Sequence, residues 1–171
     1  EFLQRGGGVL ALQPGGNAHN VETWTLTNQW LAGLGARLRW EVLEETDEDN
    51  RVADMMGIRH SYTERVEPPV SEGVKGLLMM MLHNPGAEPP MPFDYSEEWK
   101  VVVRGADSLR TRITEHHSKA AHLRKWIPEE PLDSAPPLMA VRKYRNGRVA
   151  LTSLRPQWSL RAPRHCPTVE A

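Results

Sequence analysis

The residues best suited to binding chemistry form one loop near the start of the chain. Residues 13–20 include Gly15, Gly16, Asn17 and His19. The loop lies between an apolar run and a predicted helix. The N–H groups of a glycine-rich loop and the positive end of the following helix together make a cradle for an anion or a cofactor. We therefore expect a pocket here, with His19 as a polar ligand contact.

This loop resembles that of cobalamin-binding domains, which have a flavodoxin-like fold. Their loop reads Asp-x-His-x-x-Gly, and its histidine is the lower axial ligand. Here the run is Asn17-Ala18-His19-Asn20-Val21-Glu22, so Asn17 stands for the aspartate and Glu22 for the glycine. The resemblance implies cobalamin as cofactor, with haem as the other candidate. The implied binding residues are Gly15, Gly16, Asn17, His19 and, after a later strand, Gly105.

The opening of the chain is also similar to the first unit of class I glutamine amidotransferases. The similarity is carried by Gly8-Val9-Leu10-Ala11-Leu12-Gln13 and Leu34-Gly35-Ala36. That family needs a cysteine in a Gly-x-Cys-x-Gly elbow. The single cysteine, Cys166, does not lie in such a sequence, so glutaminase chemistry is excluded.

The cysteine count and the histidine spacing do not favour a metal site. One cysteine excludes an internal disulfide and a cysteine-based zinc site. His116, His117 and His122 are close in sequence. However, neither of the first two stands three or four residues from His122, the separation that places two ligands on one helix face. We predict no metal site from these residues.

A second group could support phosphate chemistry. Glu98-Trp99-Lys100 begins a predicted strand, and Asp94 precedes it. In a metal-dependent nuclease, carboxylates in such a pattern hold Mg²⁺ and the lysine steadies the developing charge. Asp94, Glu98 and Lys100 are therefore the candidate catalytic residues of an alternative, nuclease-like function.

Positive charge is concentrated towards the C-terminus. Residues 1–100 hold 8 Lys/Arg and 16 Asp/Glu, whereas residues 101–171 hold 13 and 6. This asymmetry favours an acidic or nucleic-acid partner for the basic half, unless the two halves fold into one mixed surface. The candidate nucleic-acid contacts are Arg110, Arg112, Lys119, Arg124 and Lys125 on a predicted helix, with Arg142, Lys143, Arg145 and Arg148 on a predicted hairpin.

The hydrophobic pattern predicts the elements that position these residues. A strand at 8–12, a helix that begins after Asn20 and ends at Gly33 or Gly35, and a strand at 37–42 read as a βαβ unit. The later elements are a helix over 51–65, a buried central strand at 77–82, a strand at 99–103, a helix over 109–126, and a hairpin of residues 138–144 and 148–154 around Asn146-Gly147.

We therefore expect one α/β domain over residues 1–171, with an irregular tail at 155–171. Its core would be a three-layer, mainly parallel, flavodoxin- or Rossmann-like sheet with a C-terminal β-hairpin. Ligands bind such sheets at the carboxyl ends of the strands, which agrees with a pocket after the first strand.

The predicted function is that of a non-catalytic ligand-binding or regulatory domain for a small molecule. The alternatives are a nucleic-acid-binding or nuclease-like protein and a structural interaction subunit, so enzymatic activity stays open. No apolar run approaches the roughly 20 residues of a membrane-spanning helix, and the N-terminus lacks a signal pattern. We therefore expect a soluble cytoplasmic protein with no membrane partner.

Overall fold

A computed structural model describes residues 1–12, 21–53, 59–81, 91–113 and 127–154. A 3-10 turn spans Leu3–Arg5, and α1 spans Val21–Ala32. No helix in these ranges has the length and apolar character needed to cross a membrane. The strands are β1 (Gly8–Leu12), β2 (Ala36–Leu38), β3 (Val42–Glu45), β4 (Arg51–Ala53), β5 (Arg59–Thr63), β6 (Leu77–Met81), β7 (Phe93–Tyr95), β8 (Lys100–Arg104), β9 (Leu109–Arg112), β10 (Pro137–Tyr144) and β11 (Gly147–Thr152).

Within the described ranges, the strands form several small sheets. The largest has the order β1-β11-β10-β8, in which β1 and β11 are parallel and the other pairs are antiparallel. β2-β7 and β3-β9 are antiparallel pairs, and β4-β5-β6 is a three-stranded antiparallel sheet. The fold is mainly β. The prediction of a three-layer, mainly parallel α/β domain is wrong, and so is the flavodoxin-like fold that the cobalamin resemblance implies.

β1 and α1 have the predicted types, but the predicted strand at 37–42 is divided, because β2 ends at Leu38 and β3 begins at Val42. These elements do not form a βαβ unit. β1 pairs with β11, whereas β2 pairs with β7. The side chain of Asn28 on α1 occupies the backbone groups at one edge of β2, so that no strand in the described ranges pairs there through Leu38. Its Oδ1 accepts the Leu38 N–H at 2.7 Å, and its Nδ2 donates to the Leu38 carbonyl at 3.4 Å. These backbone groups are thus satisfied by the helix rather than by another strand.

The helix predicted over residues 51–65 is wrong, because this segment contains β4 and β5. His60, Ser61 and Thr63 are buried, and β5 is hydrogen-bonded to strands on both sides. Ser61 Oγ donates to the buried Glu45 carboxylate at 2.6 Å. Long-range pairing therefore overrides a local pattern whose apolar residues are only roughly periodic.

The helix predicted over residues 109–126 is wrong at its start, where the chain forms β9. Leu109 and Thr111 are buried while Arg110 and Arg112 are exposed. This alternation is the period of a strand with one buried face. Residues 114–126 lie outside the described ranges.

The apolar segment at 77–82 forms the predicted strand but not a central one. β6 is an outer strand of its sheet in the part of the chain that the structure describes. Met79 is buried, whereas Leu77 and Leu78 are only partly buried. The prediction that the strand is buried on both faces is therefore wrong.

The C-terminal hairpin is confirmed, with a different role for its glycine. The loop is Arg145-Asn146, and Arg145 adopts the positive φ of 55°. Gly147 is instead the first residue of β11. A Cβ on Gly147 would lie 2.5 Å from the Gly7 carbonyl oxygen and 2.6 Å from that of Leu3. The glycine is needed because the N-terminal backbone approaches it closely.

Two hydrophobic cores lie on opposite faces of the four-stranded sheet. The first contains Ala140 and Val149 from the sheet, together with Trp24 of α1 and Trp40. The rings of Trp24 and Trp40 meet edge to face at 4.9 Å. The second core includes Val102 of β8 and residues of β6 and β9. The residues of the second core leave part of this face of the four-stranded sheet uncovered. The uncovered part forms the candidate site.

Replacing Gly147 by alanine tests the close approach of the N-terminal backbone. Gly147→Ala is expected to lower the free energy of unfolding by about 1–3 kcal/mol, because backbone atoms must move to make room. Gly8→Ala is the matched control, since a Cβ there meets no atom within 4 Å. Urea denaturation measures both variants. Equal stability of the two would contradict the contact.

Candidate binding cleft

One face of the four-stranded sheet carries a cleft of about 930 Å³. It is lined by the first residues of β1, the end of β10 and the start of β11, together with Pro69, Glu98 and Lys100. Because β1 and β11 are parallel, the cleft lies at the N-terminal end of both strands. The predicted pocket is at the opposite end of β1, in residues 13–20, which lie outside the described ranges.

Gly8, Arg148 and Lys143 lie side by side across three strands and are here called the charged row. Gly8 is the register partner of Arg148, and Arg148 is that of Lys143. Both basic side chains are exposed, and the space above Gly8 is open to at least 4 Å. Like charges directly opposite one another destabilise a sheet. The charged row is therefore electrostatically unfavourable as it stands.

Two other basic residues line the cleft and each has a carboxylate partner, but the side chain of Arg142 alternates with that of Lys143 and lies on the opposite face of the sheet. Lys100 Nζ lies 3.3 Å from Glu67 Oε2, and Arg142 Nη2 lies 2.9 Å from Glu98 Oε1. Lys143 and Arg148 have no ion pair with any described residue. The uncompensated positive charge of the cleft is thus on the charged row.

The next row on the same face is apolar. Leu10, Ala150 and Val141 are register partners across the same strands, and they are here called the apolar row. Strand residues two apart share a face, so this row adjoins the charged row. Leu10 is 57% exposed, and Leu12 beyond it is 47% exposed. The cleft therefore offers cations and uncovered apolar surface side by side.

The candidate catalytic residues fall into two places. Glu98 and Lys100 line the cleft. Asp94 belongs to another network, where its carboxylate accepts hydrogen bonds from Arg37 and Arg39, each at 2.7 Å. Among the described residues, no group of three or more His, Cys, Asp or Glu side chains is placed to hold a metal ion. The nuclease-like function stays a prediction that these contacts do not favour.

Of the candidate cofactor residues, only Gly105 is described. Its N–H donates to the Pro136 carbonyl at 2.9 Å. A Cβ there would lie 2.5 Å from Leu109 Cδ2, so packed side chains fill the space beside it. Gly15, Gly16, Asn17 and His19 lie outside the described ranges, and their role stays a prediction.

The candidate nucleic-acid contacts on residues 109–126 are similarly divided. Arg110 Nη2 lies 2.8 Å from Glu44 Oε2, and Arg112 Nε lies 3.3 Å from Glu44 Oε1. One carboxylate thus compensates part of this positive charge. Lys119, Arg124 and Lys125 lie outside the described ranges.

A buried carboxyl group lies away from the cleft. Glu41 is fully buried, and its Oε1 accepts a hydrogen bond from Arg39 Nε at 2.6 Å. Its Oε2 has no hydrogen-bond partner among the described residues. Burial raises the pKa of the Glu41 carboxyl above its ordinary value, and the contact with Arg39 only partly opposes this.

Gly8 and the cross-strand pair Lys143–Arg148 were not identified as one site from the sequence. The Asn146-Gly147 signal locates the hairpin, but a two-residue loop at these residues would place Arg145 opposite Arg148. The observed loop is one residue earlier and places Lys143 there. Nothing local places Gly8 beside them, because β1 and β11 are far apart in the chain.

Comparisons with models of known protein families, with curated proteins and with solved structures gave no match. The candidate site therefore has to be judged on its own geometry and charge.

The raised pKa of Glu41 predicts a specific pH dependence of stability. The folded state binds the Glu41 proton more tightly than the unfolded state does. The contribution of Glu41 to the free energy of unfolding therefore decreases as pH rises from about 4.5, the ordinary glutamate pKa, through the raised pKa of the folded state. Glu41→Gln should remove this decrease, while Glu72→Gln, an exposed control, should retain it. Urea midpoints across this pH range measure the slope. An unchanged slope in Glu41→Gln would refute the assignment.

The like-charge pair predicts a stabilising charge reversal. Lys143→Glu places opposite charges across β10 and β11, and we expect the free energy of unfolding to increase by about 0.5 kcal/mol. Lys75→Glu, at an exposed lysine outside the cleft, makes the same change in net charge and should have no such effect. Thermal denaturation at low ionic strength compares them. A Lys143→Glu protein no more stable than its control would show that the pair does not repel.

Proposed function

We propose that this chain is a non-catalytic binding domain whose cleft takes an anionic group of a ligand. The observation that carries the proposal is the exposed cross-strand pair Lys143–Arg148, which has no carboxylate partner in the described structure. A bound carboxylate or phosphate would accept hydrogen bonds from both side chains. It would also remove the repulsion between them.

The neighbouring groups support an anion with an apolar portion. Gly8 leaves open space beside Arg148, so an anionic group can approach the guanidinium from the β1 side. The apolar row lies next to this position and can bury apolar surface of the same ligand, at about 25 cal/mol per Å². The site thus combines charge for orientation with apolar area for affinity.

The chemistry of the charged row favours binding over catalysis. Protonated lysine and arginine donate hydrogen bonds and accept none, so they orient an anion but supply no general base. Recognition of single-stranded nucleic acid relies on stacking of bases on aromatic rings. The lining of the cleft includes no aromatic residue among those the structure describes. This favours a carboxylate or phosphate ligand over the nucleic-acid alternative.

Inorganic phosphate is a suitable probe of the charged row. Titration of ¹⁵N-labelled protein at constant ionic strength should shift the amide resonances of Gly8, Lys143 and Arg148 saturably. The double variant Lys143→Gln/Arg148→Gln should bind at least tenfold more weakly, because both donors are lost. Lys75→Gln should match the wild type.

Chloride at the same ionic strength separates site binding from general screening. Equal shifts with chloride, or phosphate binding that persists in the double variant, would overturn the proposed function.

A further inference from the structure

We propose that the physiological ligand is an extended peptide segment of a partner protein, which adds to the free edge of β1 as another strand. The segment would carry one carboxylate for the charged row and alternating apolar side chains for Leu10 and Leu12. This inference rests on the proposed function, because the charged row is the same anion site. It adds the class of partner and the way it is bound.

One edge of β1 is not paired with any strand in the described ranges. Among the described strands, β1 pairs only with β11. The Arg148 N–H donates to the Gly7 carbonyl at 3.1 Å, so residue 7 directs its carbonyl towards β11. Backbone groups alternate in direction along a strand, and those of Gly8, Leu10 and Leu12 therefore point away from β11. They are available to pair with an incoming strand.

The sequence of β1 lacks the usual protection of an edge strand. Soluble proteins discourage edge pairing with charged side chains, proline or bulges. The strand reads Gly8-Val9-Leu10-Ala11-Leu12 and contains no charge or proline, and its pairing with β11 is regular over all five residues. An unprotected edge of this kind suits a strand that is covered in a complex.

The exposed side chains of β1 match an added strand on the cleft face. Leu10 and Leu12 are 57% and 47% exposed and alternate with Ala11, which packs against the first core. Residues of an added strand opposite Leu10 and Leu12 would contact these side chains as cross-strand pairs. Apolar residues at those alternate positions would bury the exposed leucine surface.

Gly8 allows the carboxylate to reach the charged row. A residue opposite Gly8 on the added strand would lie two strand spacings, about 9.5 Å, from Arg148. Any larger residue at position 8 would stand between them, but Gly8 leaves that space open. A glutamate side chain can therefore extend over Gly8 to meet the Arg148 guanidinium, with Lys143 beyond it. The partner's acidic residue belongs opposite Gly8.

This register defines the partner's pattern. A strand antiparallel to β1 would read apolar-x-apolar-x-Glu, and a parallel strand would read Glu-x-apolar-x-apolar. Two capped peptides of equal composition test both directions, Thr-Leu-Thr-Leu-Thr-Glu-Thr and Thr-Glu-Thr-Leu-Thr-Leu-Thr. Each is labelled with a fluorophore and titrated with the full chain by fluorescence anisotropy.

We expect one of the peptides to bind with a Kd in the micromolar range. Replacing its glutamate by glutamine, or using the Lys143→Gln/Arg148→Gln protein, should weaken binding at least tenfold. N-methylation of the peptide amides that face β1 should abolish it, since strand addition depends on main-chain hydrogen bonds. Binding that survives N-methylation would overturn strand addition.

A matched pair of variants tests the edge from the protein side. Leu10→Ala and Leu10→Pro both remove the leucine side chain, but only proline removes the outward N–H. Proline is tolerated on an edge strand where its N–H faces solvent, so both variants are expected to fold, which the amide spectrum of each protein checks. Peptide affinity should fall further, by at least tenfold, in Leu10→Pro. Equal affinities of the two variants would overturn the proposal.

Two further results distinguish the alternatives. If phosphate binds at the charged row and neither peptide binds, the proposed function stands and the peptide inference fails. If phosphate does not bind there, the proposed function itself fails. Sedimentation velocity of the wild type and Leu10→Pro tests whether a second copy occupies the edge. A dimer that Leu10→Pro converts to a monomer would replace the partner peptide with a second copy of this chain.

Discussion

The parallel pairing of residues 8–12 with residues 148–152 is the constraint on which the rest of the described structure depends. It makes β11 an inner strand between β1 and β10 and brings the N-terminal turn against the hairpin. Closing such a long stretch of chain costs conformational entropy, which burial on both faces of the sheet must offset. The two cores supply this burial, and the cleft exists only because the pairing places Gly8 beside Arg148.

The buried polar network around Arg39 is a second feature that holds distant segments of the chain together. The guanidinium joins Glu41, Asp94 on β7 and the Glu130 carbonyl. It therefore connects three segments that are distant in sequence. Buried ion pairs add little net stability because desolvation opposes their attraction. Their partners are nevertheless costly to remove, and the network thus disfavours arrangements in which these segments separate.

The cleft has the opposite character, because the exposed pair Lys143 and Arg148 has no carboxylate partner among the described residues. A sheet optimised for stability alone would place a carboxylate opposite Lys143 or Arg148 and a charge or proline in β1. The chain does neither. The unfavourable charge pair and the unprotected edge lie on the same part of the sheet. Their coincidence is the reason for assigning binding to this face.

The sequence by itself determined several local features, namely β1, α1, β8 and the hairpin around Asn146-Gly147. Alternation, capping and turn chemistry act over a few residues, so they are readable without the rest of the chain. They also indicated that Lys143 and Arg148 belong to a basic hairpin. Only the tertiary structure decided which strands pair, which is why the βαβ unit, the helix over 51–65 and the start of the helix over 109–126 were wrong. The hydrogen bonds of a strand such as β1 are completed by a segment that is distant in sequence. The local sequence does not identify that segment, and it does not show that Gly8 lies beside Arg148.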